Sequence, residues 1–124
     1  MKIYFLVLSV PILATICQIF IKLGMQQIGE ITLTELKNNP LSLILSIITN
    51  VWVLMAAPLY TASFILWMYI LSKLNLSFAY PFLALSFVLV PLVSLFVFGE
   101  NISTLRWAGI FVIFSGIVII GFSN

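Results

Sequence analysis

Four apolar runs, each about twenty residues long, take up most of this 124-residue chain. A helix needs about 20 apolar residues to cross the hydrocarbon of a bilayer, so each run is a candidate span, and together they leave no length for a water-soluble domain. Charge supports this reading. Only 6% of the residues are charged, where a globular chain carries about 25% to keep its surface wet. The spans must be helical, because an isolated strand in lipid leaves its backbone polar groups without partners. The expectation is an all-α integral membrane protein of four transmembrane helices with both termini on one side. It is a multi-pass protein of a cell membrane, organised as a single transmembrane domain over 1–124.

The runs are expected at about 3–22, 51–72, 78–98 and 105–122. The first is too long for a signal-peptide core and has no small-residue cleavage pattern after it. Cys17 reads as a small buried apolar residue. Residues 24–40 hold Glu30, Glu35 and Lys37 and lie outside the hydrocarbon, with Thr34 as a cap for a short surface helix. From Leu41 to Leu71 no charge occurs, and a continuous helix there spans about 45 Å at 1.5 Å per residue, more than a bilayer takes. A break at Asn50 divides this stretch, leaving room for an interfacial segment at about 30–50; one strongly tilted helix is the competing reading. Lys73, Asn75 and Ser77 form a tight turn that makes its flanking helices antiparallel. Gly99, Glu100 and Asn101 end the third span, and Ser103 or Thr104 caps the fourth.

Residue types narrow the chemistry. With no His, no Asp and one Cys, the chain cannot assemble a Ser-His-Asp triad, a Cys cluster for zinc, a paired-Asp site or an internal disulfide. No enzymatic activity, catalytic residue, metal or cofactor is expected. Its cations are Lys2, Lys22, Lys37, Lys73 and Arg106, scattered along the sequence. They form no basic cluster that would track nucleic acid. Lys2 and Lys73 fall on the face with the termini, and Lys22, Lys37 and Arg106 on the other. Because Lys/Arg asymmetry sets orientation, so even a split predicts weak or dual orientation.

Three polar features remain within or beside the spans. Pro11, Thr15, Gln18 and Lys22 recur at three- and four-residue steps and share one face of the first helix. A polar face turned to lipid is costly, so it belongs in the bundle or a wet cavity. Lys22 either snorkels from the helix end to the interface or joins Gln18, one turn deeper, in a site for a phosphate or carboxylate. In the third span Pro81 is tolerated as an early helical residue, whereas Pro91 removes a bond to the Phe87 carbonyl and predicts a kink. Such a kink acts as a gate that exposes a carbonyl, as in transporters, or is a static bend filled by Ser94 or water. Tyr80 is an interfacial anchor or a cavity-lining hydroxyl. Arg106, in the first turn of the fourth helix, opposes the positive helix end; Glu100 is its expected partner, a lipid phosphate the alternative. Gly109, Ser115 and Gly116 suit close helix contact, including contact between subunits.

The segments Ala79-Tyr80-Pro81, Leu85-Ser86-Phe87-Val88, Phe98-Gly99-Glu100, Arg106-Trp107-Ala108-Gly109 and Ser115-Gly116-Ile117-Val118-Ile119-Ile120-Gly121, with Gln18 to Lys22 in the first helix, resemble the drug/metabolite transporter superfamily in its four-helix, small-multidrug-resistance-like branch. Within that branch the chain is similar to aminoarabinose-phosphoundecaprenol flippase subunits of the bacterial inner membrane. The resemblance is good over 60–124, moderate over 10–24 and poor over 25–50. It implies a transporter or flippase for a polyprenyl-phosphate-linked sugar or related anionic lipid, working as a homodimer or with a second similar subunit. Multidrug members carry a membrane-embedded Glu in the first helix; here that stretch reads Leu13-Ala14-Thr15, which counts against proton-coupled drug export. The implied substrate site is Lys22, Gln18, Thr15, Tyr80 and Arg106, with Pro81, Pro91 and Glu100 structural or gating. A small-molecule exporter of the same fold, or a non-transporting accessory subunit, stays open as an alternative.

Overall fold

The computed structural model describes residues 2–123. Their helices are α1 (Lys2–Ile28), α2 (Leu33–Asn38), α3 (Pro40–Ile48), α4 (Val51–Leu71), α5 (Leu76–Leu83), α6 (Ser86–Val97) and α7 (Thr104–Phe122). Four units are long and apolar enough to cross a membrane: α1, α4, α5 with α6, and α7. The all-helical, four-span architecture is therefore the one expected, with short helices between the first and second spans.

Local chemistry explains the boundaries and corrects several of them. The first helix does not stop near Lys22 but continues to Ile28, where Gly29 adopts φ +90° and donates its N–H to the Met25 carbonyl at 2.9 Å. Lys22 thus projects from within a helix rather than from its end. The cap of α2 is Thr32, not Thr34. Glu35 stands three residues after Thr32, so each side chain accepts from the other's backbone N–H, a reciprocal capping box. At Asn50 the chain breaks as expected: its side-chain oxygen accepts from the N–H groups of Trp52 and Val53 and starts α4. A single tilted helix across this region is excluded.

The third span is also interrupted, but nearly two turns from the expected place. Pro91 lies inside α6, and the break falls at Ala84 and Leu85. There the N–H groups of Ala84, Leu85 and Phe87 donate to carbonyls three residues back, at 2.9 to 3.0 Å. Pro91 deprives the Phe87 carbonyl of its helical donor, and the ring crowds that carbonyl, so the tightening appears on the N-terminal side of the proline. Because α5 begins at Leu76, Pro81 is not within the first turn either; its missing N–H leaves the Ser77 carbonyl without a helical partner. The tightened turn sits between the two prolines.

Helix α1 is central. On one side it lies antiparallel to α4, with Cys17 against the Ala56 carbonyl and Gly24 against Asn50 and Val53. Val7, Val10, Ile70 and Ala79 form a buried core near its N-terminal end, covered by Leu6, Leu66, Trp67, Leu74, Phe82 and Leu83. On its other side α1 meets α5 and α6, and α7 packs on those two. The outer surface is apolar, with Phe5, Phe64, Phe96, Leu105, Phe111 and Phe122 all strongly exposed. That arrangement suits a lipid solvent, in which apolar side chains need no burial.

Candidate functional site

The polar face of α1 divides among three fates. Thr15 is buried and donates its hydroxyl to the Pro11 carbonyl at 2.7 Å, four residues back, so its donor is used within its own helix. Gln18 donates from Nε2 to the Tyr60 hydroxyl on α4 at 3.1 Å. Lys22 places Nζ 3.7 Å from Glu100 Oε1, with both side chains about half exposed, at 51% and 44%. The expected Glu100–Arg106 pair is not formed. Glu100 faces α1 because Gly99 takes the left-handed conformation (φ +62°) and the Glu100 N–H returns to the Ser94 carbonyl at 3.3 Å. This wraps the turn over the end of α6 and aims the carboxylate at Lys22. Arg106 is instead held through its backbone N–H, which Ser103 Oγ caps at 3.3 Å.

A cavity of about 270 Å³ opens where α1, α6 and the turn before α7 converge. Gln18, Lys22, Pro91, Ser94, Glu100 and Arg106 line it, backed by Ile19, Val90, Phe98 and Ile102. A second cavity of about 260 Å³ adjoins it along the same seam, sharing Gln18, Val90 and Pro91 and reaching Ala14, Ser86 and Phe87. The seam thus runs from a charged mouth into an apolar interior, beside the helix whose ladder Pro91 interrupts. Ser94 donates to the Pro91 carbonyl at 3.0 Å, so it does not reach the Phe87 carbonyl that the proline frees.

Of the residues expected at a site, Lys22, Gln18, Arg106, Pro91 and Glu100 share this cavity. Thr15 and Tyr80 lie outside its lining. Tyr80 is largely exposed on α5 and packs its ring edge-on against Trp67, centroids 6.4 Å apart. Pro81 is likewise on α5, away from the mouth. Gly109 and Gly116 lie on a face of α7 where an added Cβ would meet nothing within 4 Å, and Ser115 is half-buried beside them. Tyr60 was not singled out from sequence, although a hydroxyl in the middle of an apolar run is itself a signal. No group of His, Cys, Asp and Glu able to hold a metal occurs among the described residues.

No family model matches the chain, and no solved structure shows a significant match. Curated proteins do match. Over 70 residues, 56% of this chain, it is 31% identical to the "Probable 4-amino-4-deoxy-L-arabinose-phosphoundecaprenol flippase subunit ArnE" of Pseudomonas fluorescens. Over the same length it is 40% identical to the protein so named from Pectobacterium atrosepticum. These matches cover 61% and 62% of the two relatives' lengths. With the protein so named from Pseudomonas savastanoi pv. phaseolicola, identity is 31% over 78 residues, 63% of this chain and 68% of that relative. The chain belongs to the ArnE flippase-subunit family. ArnE-type proteins are members of the small-multidrug-resistance-like branch, as the segments around Tyr80, Gly99-Glu100 and Ser115-Gly116 implied. The relatives carry the name of probable flippase subunits.

Proposed function

We propose that the chain is one subunit of a flippase for a polyprenyl-phosphate-linked sugar in a bacterial inner membrane. The observation that supports this is the gathering of Lys22, Gln18 and Arg106 at the mouth of a seam that continues into apolar surroundings. An anionic headgroup leaving the interface loses hydration, and a charge within hydrocarbon is costly unless it is paired. Two cations at the mouth offset that loss. Arg106 offers a planar fork to phosphate oxygens, and Lys22 a mobile point charge. Gln18, one turn deeper and oriented by Tyr60, presents an amide to sugar hydroxyls. The polyprenyl chain stays in lipid throughout, so only the headgroup needs a path.

Movement along that path requires the seam to open further. The tightened turn at Ala84 and Leu85 divides the third span into two halves. Such a division gives a hinge about which α6 swings from α1, as in other transporters with interrupted helices. The open face of α7 at Gly109, Ser115 and Gly116 is the proposed contact with a second subunit, a copy or a similar chain, since small residues let helices approach closely in lipid. The absence of a carboxylate from the first-helix stretch Leu13-Ala14-Thr15 favours this reading over proton-coupled export of cations.

Mass spectrometry of lipids retained through gentle purification tests the reading. A polyprenyl-phosphate glycolipid is expected with the unaltered chain and is lost from Lys22→Ala. Headgroup translocation in proteoliposomes that is unchanged in both Lys22→Ala and Gln18→Ala would remove the cavity from the mechanism.

A further inference from the structure

A site for a phosphate alone has no use for a carboxylate at its mouth, since like charges repel and the approach of the anion is slowed. Yet Glu100 is held there by two features of its own turn. Gly99 supplies a left-handed φ of +62°, and the Glu100 N–H is fastened to the Ser94 carbonyl. The carboxylate lines the same cavity as Arg106 and Gln18. Its pairing with Lys22 is long, at 3.7 Å, and half exposed on both sides. Pairs of that kind contribute little and exchange readily.

We propose that Glu100 is the residue that selects for an amine on the headgroup. This deepens the reading above and rests on it: the relatives' names specify an amino sugar, and the new assignment is the residue that would recognise its ammonium. The cavity mouth holds two cations and one carboxylate, the complement of a headgroup with one phosphate and one ammonium. When such a headgroup enters, its phosphate takes Lys22 and Arg106, and its ammonium takes the place that Lys22 held beside Glu100. Each charge leaves the site paired. A headgroup with a hydroxyl in place of the amine also engages the cations, but it strips Lys22 from Glu100 and leaves the carboxylate unpaired. Discrimination therefore comes from the cost of an orphaned charge as much as from the new ion pair.

The test uses the full chain reconstituted in phosphatidylcholine vesicles, with two probes: a farnesyl phosphodiester of a 4-amino-4-deoxypentose, and the same compound with a hydroxyl at that carbon. The unaltered chain is expected to bind the amine probe about tenfold more tightly, a ratio that one charge-assisted contact readily supplies. Glu100→Gln is expected to bring the ratio to about one by weakening the amine probe alone, while the hydroxyl probe binds as well or better. Glu30→Gln removes the same charge from a different cavity and is expected to keep the preference. If Glu100→Gln strengthens both probes equally, Glu100 is only a counterion for Lys22 and the proposal fails. It also fails if that variant loses both probes, or if Glu30→Gln abolishes the preference equally. Failure of both probes to bind the unaltered chain overturns the flippase reading itself.

Discussion

The two flanks of α1 are built from the same helix and have opposite characters. Toward α4 the seam is sealed: Val7, Val10 and Cys17 are buried, and Gly24 admits the Asn50 side chain and Val53 so closely that no Cβ would fit. Toward α6 the seam is open, with two adjoining cavities and the polar groups Gln18 and Lys22 turned into them. The difference follows from the partners. Helix α4 is continuous and meets α1 with the small residues Ala56 and Ser63 buried, whereas the span holding α6 is broken nearly two turns before Pro91 and cannot follow α1 along its length. Under the proposed flippase reading, the open flank is the headgroup path and the sealed flank its rigid wall, with a single helix shared by both.

The largest effect that would break this comparison lies on the sealed flank. A Cβ at Gly24 would lie 2.9 Å from Asn50 Oδ1, an atom engaged in capping α4 and unable to move freely, and 3.0 Å from Val53 Cγ2. Gly24→Leu is expected to lower stability by about 3 kcal/mol, the upper end for overpacking, read as the shift of the unfolding midpoint in detergent. On the open flank Lys22→Ala should weaken binding of a polyprenyl phosphate by about 2 kcal/mol, a typical loss for a charge-assisted contact, and leave the unfolding midpoint nearly unchanged. A large stability loss in Lys22→Ala would mean that the open flank carries the fold after all. Asn50→Ala removes the cap and the bond its amide donates to Gln27 at 3.1 Å; a loss of about 1 kcal/mol is expected in the same unfolding measurement. The smallest effect is for Gly116→Ala on α7, where the added methyl meets nothing and helix propensity gains about 0.5 kcal/mol. A measured decrease there would show that this face is packed, against a second subunit if the loss depends on protein concentration and within the subunit if it does not.

Much of the scaffold was legible from local pattern. Apolar run lengths marked the four spans, and Asn50 was readable as a break because its short polar side chain competes for backbone N–H groups. The shared face of Gln18 and Lys22 was likewise visible from helical spacing, since spacing within one helix is local. Partners across helices were not. Glu100 is closer in sequence to Arg106 than to Lys22, and only the left-handed turn at Gly99 sends its carboxylate toward α1. Gly24 resembled a loop residue because Glu30 and its neighbours lie just beyond it, yet it is a point where α1 and α4 pack too tightly to admit a Cβ. The displacement of the break from Pro91 to Ala84 and Leu85 has a similar origin: it falls between two prolines, Pro81 and Pro91, and spacing from one of them alone does not locate it. Tyr60 as partner of Gln18 depends on the register of α1 against α4, which packing sets and no periodicity reports.

Cys17 is the chain's one cysteine, fully buried on the sealed flank with its thiol toward the Ala56 carbonyl at 3.9 Å. It is therefore a clock that the protein already carries. A membrane-permeant thiol reagent reaches Cys17 only when α1 and α4 part, so its rate of modification, compared with that of a small thiol in the same lipid, reports the free energy of that local opening. Rates followed with and without a bound glycolipid would show whether a headgroup entering on one flank of α1 tightens or loosens the other.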